Sequence, residues 1–110
     1  MIGIGMIMKS KRTTTFDISP QAKASVRSRD KECIFCGRTG HDIMHYIPRL
    51  SGGLGIVQNL ALGCRQCHMN LDQTTKREVM LKHFKEHLDK HYPNFEDNQR
   101  VFKKWSRSYD

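Results

Sequence analysis

The sequence predicts an α+β fold in which two short strands and several helices surround a group of metal-binding cysteines. Two Cys-x-x-Cys pairs stand 27 residues apart, and two short apolar segments separated by a glycine-rich stretch lie between them. Helical periodicity is found on both sides of this region. The chain has 110 residues, which is enough for one compact domain.

The charge and hydropathy of the chain indicate what kind of partner it has and argue against a membrane protein. It carries 19 Lys and Arg against 11 Asp and Glu, and most of this surplus falls in residues 1–71. Such a bias favours a polyanionic partner, although charge alone does not separate DNA from RNA, an anionic membrane or a simply basic surface. No apolar run is long enough to span a membrane. The apolar residues 1–8 lack the flanks of a secretory signal, so we expect a cytoplasmic protein.

The N-terminal part is predicted to be an arm followed by a helix. Residues 1–17 are polar and basic after their apolar start, without a regular apolar period, and are expected to form a flexible basic arm. Ser19 is a favourable N-cap and Pro20 suits the first helical position, so a helix should run from there to about Arg29.

The region between the cysteine pairs is predicted to form a hairpin. Residues 43–47 are rich in the β-branched and aromatic side chains that strands favour. Residues 51–55 contain too much glycine for a regular element and are expected to form a loop. Residues 60–62 then provide the returning strand, and a short helix beginning at Arg65 is expected to carry Cys67, His68 and Asp72.

A longer helix is predicted over residues 75–91. Its apolar face carries Met80, Phe84 and Leu88 at intervals of four, and Pro93 marks its end. Three histidines recur at the same interval beside that face and are expected to be solvated: His83, His87 and His91. Residues 92–110 are expected to form an extension with a short helix that packs back on the domain.

The cysteines predict a structural zinc site. Two residues between the members of a pair let both thiolates face one ion, and two pairs complete a tetrahedral site formed by Cys33, Cys36, Cys64 and Cys67. Disulfides are disfavoured without a secretory signal, and a redox Cys-x-x-Cys would leave the second pair unexplained. A zinc deaminase is disfavoured because the chain has no His-x-Glu motif.

The remaining signature resembles a known family. The residues from His45 to Gly53 contain Pro48 and a Gly pair, Asn59-Leu60 follows, and His68 comes directly after Cys67. This pattern resembles the HNH endonucleases, whose ββα-metal core often lies within two zinc knuckles, and in particular the small HNH proteins encoded by bacteriophages. The resemblance covers residues 30–75 closely and implies an HNH nuclease domain over residues 18–91.

The resemblance also implies roles for the residues of the motif. His45 would be the general base, Asn59 would hold the loop that positions it, and His68 would bind the catalytic divalent ion. Asp72 lies one helical turn after His68, and its carboxylate suits Mg²⁺ or Mn²⁺ better than Zn²⁺. The implied reaction is hydrolysis of double-stranded DNA to 5′-phosphate and 3′-hydroxyl ends. Phage packaging proteins are further candidate partners, and the host cytoplasm is the location expected of a phage-encoded protein.

One position departs from the family pattern. The residue before the base histidine is usually Asp, Glu or His and binds the catalytic ion, but here it is Met44. The ion is then held by His68 and Asp72 alone, or Asp42 or His41 substitutes, or the site is weakened. The alternatives to an active nuclease are therefore a zinc-stabilised DNA-binding module that no longer cleaves and a protein-interaction adaptor.

Basic residues in and around the motif are candidates for phosphate contacts, which position DNA without reading its sequence. They are Lys9, Lys11, Arg12, Lys23, Arg27, Arg29, Arg49 and Arg65. The recognition site and the oligomeric state have no signal in the sequence.

Overall fold

The computed structural model describes residues 17–73 and 75–102 and confirms the α+β class. Within these residues, three helices surround a two-stranded antiparallel sheet. In chain order the described elements are α1 (Pro20–Asp30), β1 (Asp42–His45), β2 (Leu60–Gly63), α2 (Arg65–Gln73) and α3 (Arg77–His91), with single 3-10 turns at Arg49–Ser51, Val57–Asn59 and Asp97–Gln99. No helix within this part of the chain is long and apolar enough to cross a bilayer.

Helix α1 begins as its sequence predicts. The Ser19 hydroxyl accepts a hydrogen bond from the backbone N–H of Ala22 at 3.0 Å, and Pro20 takes the first turn. The helix ends before Lys31, whose φ is 65°. Its buried residue Val26 packs against Leu60 and Leu62, so α1 covers one face of the sheet.

The sheet is a hairpin with a long connection. Asp42 pairs with Gly63 and His45 with Leu60, and residues 46–59 join the two strands. The first strand was expected over residues 43–47, but it ends at His45. The reason is that the side chain of Asn59, rather than a strand, binds both the N–H and the carbonyl of Ile47.

The opposite face of the sheet carries the larger apolar cluster. Met44 and Ala61 pack there with Leu71 of α2 and with Phe84 and Leu88 of α3. Successive residues of β1 therefore enter different cores, since Ile43 packs on the α1 side. Helix α3 begins two residues later than expected because residues 75–76 form a turn.

The segment after α3 contacts the loop between the strands. Arg100 is fully buried, where its Nε donates to the Gln58 carbonyl at 2.6 Å and its Nη1 contacts Asp97 at 2.7 Å. Val101 forms a β-bridge with Gly53. Within residues 95–102 the predicted short helix is a single 3-10 turn. The division into an arm, a domain and an extension stays a prediction, and the arm (apart from residue 17) and residues 103–110 lie outside the described residues.

A buried carboxylate joins α1, β2 and α3. The side chain of Asp30 accepts hydrogen bonds from Arg29 at 2.6 and 2.8 Å and from the backbone N–H of Leu62 at 2.9 Å. His87 Nε2 lies 2.9 Å from the same carboxylate. Burial alone raises the pKa of Asp30, but the hydrogen bonds from Arg29, His87 and Leu62 outweigh it and hold the pKa well below its ordinary value.

Two sequence expectations are corrected here. His87 is not a solvated flank residue, because it contacts buried Asp30. Arg29 is not a phosphate contact, because its side chain is only 11% exposed and also donates to the carbonyls of Val57 and Leu60. Arg29 follows Val26 by three positions, so both lie on the inward face of α1.

We expect Asp30→Asn to lower the free energy of unfolding by about 3 kcal/mol at pH 7, because it leaves the Arg29 guanidinium buried without its counter-charge. The depressed pKa stabilises the fold above the ordinary value of 3.8, and this contribution disappears as the pH falls below that value. Urea unfolding of the wild type and of Asp30→Asn from pH 7 to pH 3 should show that the difference between their free energies of unfolding becomes smaller in acid. Equal stability of the two proteins at pH 7 would contradict the role of Asp30.

Candidate functional site

Four cysteine sulfurs meet at one point of the structure. The Sγ atoms of Cys33, Cys36, Cys64 and Cys67 all lie within 4.8 Å of one another. Cys36 Sγ and Cys64 Sγ are 3.7 Å apart. A tetrahedral zinc site with Zn–S bonds of about 2.3 Å has S–S edges of about 3.8 Å. The four cysteines can therefore hold a structural metal such as zinc.

Local backbone geometry builds both halves of this site. In the first half, the N–H of Gly37 donates to the Cys33 carbonyl at 2.9 Å, and the φ of Gly37 is 76°, a left-handed value that glycine adopts without strain. In the second half, the N–H of Cys67 points at the Cys64 sulfur at 3.4 Å. Burial alone raises the pKa of the Cys33 thiol, but backbone hydrogen bonds bring it to about 7, which favours the thiolate that binds metals.

A second group of possible ligands has another explanation. Among the described residues, Asp30, His87 and His91 also lie close enough to share an ion. The carboxylate of Asp30, however, already accepts hydrogen bonds from the Arg29 guanidinium and a backbone N–H. Both carboxylate oxygens of Asp30 thus already have a cationic partner, and we assign this group to the stability of the fold.

His68 is held between two carboxylates. Its Nδ1 lies 2.9 Å from Asp42 Oδ2, and its Nε2 lies 3.6 Å from Asp72 Oδ2. Asp42 is on β1, whereas His68 and Asp72 lie one turn apart on α2. When Nδ1 carries the proton and donates to Asp42, Nε2 presents its lone pair beside Asp72. One imidazole nitrogen and one carboxylate can then face a divalent ion together.

His45 ends β1 and lines the same cleft as this pair. The cleft has a volume of about 220 Å³ and also contains His68 and Asp72. The ring nitrogen Nε2 of His45 is buried. The remaining residues that line the cleft are Pro48, Arg49, Leu50 and Arg77. The structure thus brings together His45, His68 and Asp72, which the sequence analysis named separately.

Asn59 holds the loop that follows His45. This fully buried side chain accepts a hydrogen bond from the N–H of Ile47 at 2.9 Å and donates to the carbonyls of Ile47 and Leu54 at 3.1 and 2.9 Å. Its backbone carbonyl accepts a hydrogen bond from the N–H of Tyr46. All four groups of the loop that Asn59 binds are backbone groups, so Asn59 fixes the path of the backbone itself.

The two adjacent glycines are required by this loop. Gly52 has a φ of 86°, in the left-handed region. A Cβ on Gly53 would lie 1.7 Å from the carbonyl oxygen of Ile47, so no other residue fits without moving the backbone. The Gly pair of the motif therefore permits the close packing of the loop against residues 47–48.

Met44 does not line the cleft. It is completely buried in the core with Phe84 and Leu88, and its sulfur lies 2.5 Å from where a Cβ on Gly63 would be. An acidic residue at this position would be buried among apolar side chains, so the residue before His45 belongs to the core in this structure. The carboxylate of Asp42, on the same strand, contacts His68.

The basic residues proposed for DNA have different surroundings. Arg49 lines the cleft and contacts Asp17 at 3.1 Å, and Arg65 is exposed but lies 3.3 Å from Asp42. Lys23 and Arg27 are exposed on α1, one turn apart. Lys9, Lys11 and Arg12 lie outside the described residues. Sequence reasoning missed Arg77, whose side chain lines the cleft and donates to the Leu71 carbonyl at 3.0 Å.

We expect Cys67→Ser to leave most of the protein unfolded, because a structural zinc supplies on the order of 10 kcal/mol of apparent free energy, comparable to the stability of a whole domain. Metal analysis should give about one zinc per folded chain, and a strong chelator should reproduce the effect of the variant. Met69→Ser is the matched control, since Met69 lies on the same helix and is 45% exposed. A metal-free chain that unfolds as cooperatively as the native one would contradict the zinc site.

Comparisons with known proteins agree with this geometry. The family model for the HNH endonuclease matches residues 33–74, a range that contains all four cysteines, the hairpin and α2. No curated protein matches the chain. The family match over residues 33–74 and the converging site residues together support a nuclease-type function in general.

Proposed function

We propose that the protein is a metal-dependent endonuclease that hydrolyses phosphodiester bonds of double-stranded DNA. The observation that carries the proposal is the convergence of His45, His68 and Asp72 on one cleft within the HNH domain. The net charge of +8 and the two arginines that line the cleft, Arg49 and Arg77, complement a phosphate backbone. The resemblance to the HNH endonucleases implies that the products carry 5′-phosphate and 3′-hydroxyl ends.

His45 is the proposed general base. An imidazole that titrates near neutrality can take a proton from the attacking water when it lies within hydrogen-bond reach of it. Asn59 positions His45 by binding the backbone of the loop that follows it. Pro48 and the Gly pair belong to the same loop, residues 46–59. Backbone hydrogen bonds within this loop hold the chain that follows His45 in place.

His68 and Asp72 are the proposed holders of the catalytic divalent ion. A mixed set of one imidazole and one carboxylate suits Mg²⁺, Mn²⁺ or a similar ion that keeps several waters. When bound, such an ion supplies charge stabilisation for the phosphate and for the leaving oxygen. Asp42 is a positioning residue, because its contact with Nδ1 selects the tautomer and orientation of His68. The four cysteines hold a separate structural zinc in this proposal.

The alternative is a DNA-binding module that has lost cleavage. Its specific support is the buried Met44, which leaves the residue before His45 unable to bind an ion. Metal-dependent nicking of supercoiled plasmid separates the two functions, since a binding module retards the plasmid in a gel without cutting it. Salt-sensitive DNA binding in turn argues against a pure protein-interaction adaptor.

We expect His45→Ala to lower the nicking rate by about 10²-fold or more, the usual scale for a lost general base, while zinc content and DNA affinity stay unchanged. Plasmid nicking in the presence of magnesium or manganese measures the effect. His83→Ala is the matched control, because His83 is an exposed histidine on α3 that does not line the cleft. Nicking by His45→Ala at the wild-type rate would show that another group is the base.

We expect Asp42→Asn to raise the magnesium concentration needed for half-maximal nicking by about 10- to 100-fold, the usual cost of losing the partner of a metal-binding histidine. Calorimetric titration of the zinc-loaded protein with manganese should show the same loss of affinity without DNA. His68→Ala should abolish that binding, with the fold retained. Unchanged manganese affinity in Asp42→Asn would remove Asp42 from the site.

A further inference from the structure

Leu50 projects from the rim of the cleft into solvent. Its side chain is 98% exposed, and it lines the same cleft as His45 and His68. Single exposed leucines are common and need no explanation by themselves. The position of Leu50 is informative because the backbone beneath it is tightly held and its neighbours are cationic.

The turn that carries Leu50 is pinned at both ends. The N–H groups of Ser51 and Gly53 both donate to the Pro48 carbonyl at 2.9 Å, and the N–H of Gly52 donates to the Arg49 carbonyl at the same distance. The N–H of Phe102 donates to the Gly52 carbonyl at 2.9 Å, so the C-terminal segment holds the turn from outside. The surrounding backbone therefore keeps Leu50 presented to solvent.

The charges beside Leu50 match a nucleic acid rather than an apolar partner. Arg49 precedes it with half of its side chain exposed, and Arg77 lines the cleft as well. Two arginines and one apolar side chain that line the same cleft fit a duplex, in which phosphates flank the apolar faces of stacked bases. In proteins that bend DNA, leucine is among the side chains that insert between base pairs from the minor groove and unstack them.

We propose that Leu50 is a wedge that enters the duplex beside the phosphate bound in the cleft and unstacks one base step. The inference rests on the proposed function, since it takes double-stranded DNA as the substrate. Arg49 and Arg77 hold the flanking phosphates, while the pinned turn supplies the rigidity that an inserted side chain needs. Unstacking bends the backbone at that step and presents its phosphate to His45 and His68.

The proposal is tested by comparing a fully paired duplex with an otherwise identical duplex that contains one mismatch, since a mismatched step costs less to unstack. Affinities are measured with the zinc-loaded protein without magnesium or manganese, so that the DNA stays intact. We expect the wild type to bind the mismatched duplex about 10-fold more tightly than the paired one. Leu50→Ala should lose this preference, and Leu50→Met, which keeps an apolar side chain of similar reach, should retain it.

Val79→Ala is the matched control, because Val79 is an apolar residue that is 73% exposed and does not line the cleft. It should bind both duplexes like the wild type. Equal affinity of the wild type for the two duplexes, or an unchanged preference in Leu50→Ala, would overturn the wedge, whereas metal-dependent plasmid nicking would still support the nuclease. Failure to bind either duplex, together with the absence of nicking, would overturn both.

Discussion

The meeting of four cysteine sulfurs where β2 passes into α2 is the constraint on which the cleft depends. Cys64 and Cys67 lie at the start of α2, so any ion that they share with Cys33 and Cys36 sets the position and direction of this helix. His68 follows Cys67 directly and Asp72 follows one turn later. A structural metal held by the four cysteines would therefore position His68 and Asp72, two residues of the proposed catalytic site.

The hairpin also helps to position the residues of the cleft. Residues on one face of β1 meet α2, where Met44 packs against Leu71 and Asp42 contacts His68. The strand then ends at His45, and Asn59 turns the chain away by binding the backbone of Ile47. A carboxylate, an apolar side chain and an imidazole thus lie along β1 in different surroundings: Asp42 beside His68, Met44 in the core and His45 in the cleft. This explains how a methionine is accommodated next to the proposed base.

Several charged residues serve the fold rather than a ligand. Arg29, Asp30 and His87 join α1 to α3, and Arg100 is buried between Tyr46 and Phe95 beneath the loop. In the part of the chain that the structure describes, the apolar clusters are small and lie on opposite faces of a two-stranded sheet. Buried ionic contacts of this kind add directionality that such small cores lack. They also mean that the basic composition overstates the number of cations available to DNA.

The sequence by itself determined the α+β class, the metal-binding cysteines and the order of strands and helices, because each depends on local spacing and local backbone preference. The N-cap of α1, the Cys-x-x-Cys pairs and the Gly pair are examples whose geometry is set within a few residues. Only the tertiary structure decided that Arg29 turns inward, that Met44 enters the core and that Asp42 contacts His68. These outcomes depend on residues far apart in the chain, such as Asp42 with His68 and Arg29 with Leu60, and no local pattern specifies which side chains meet when helices pack on the two faces of a sheet.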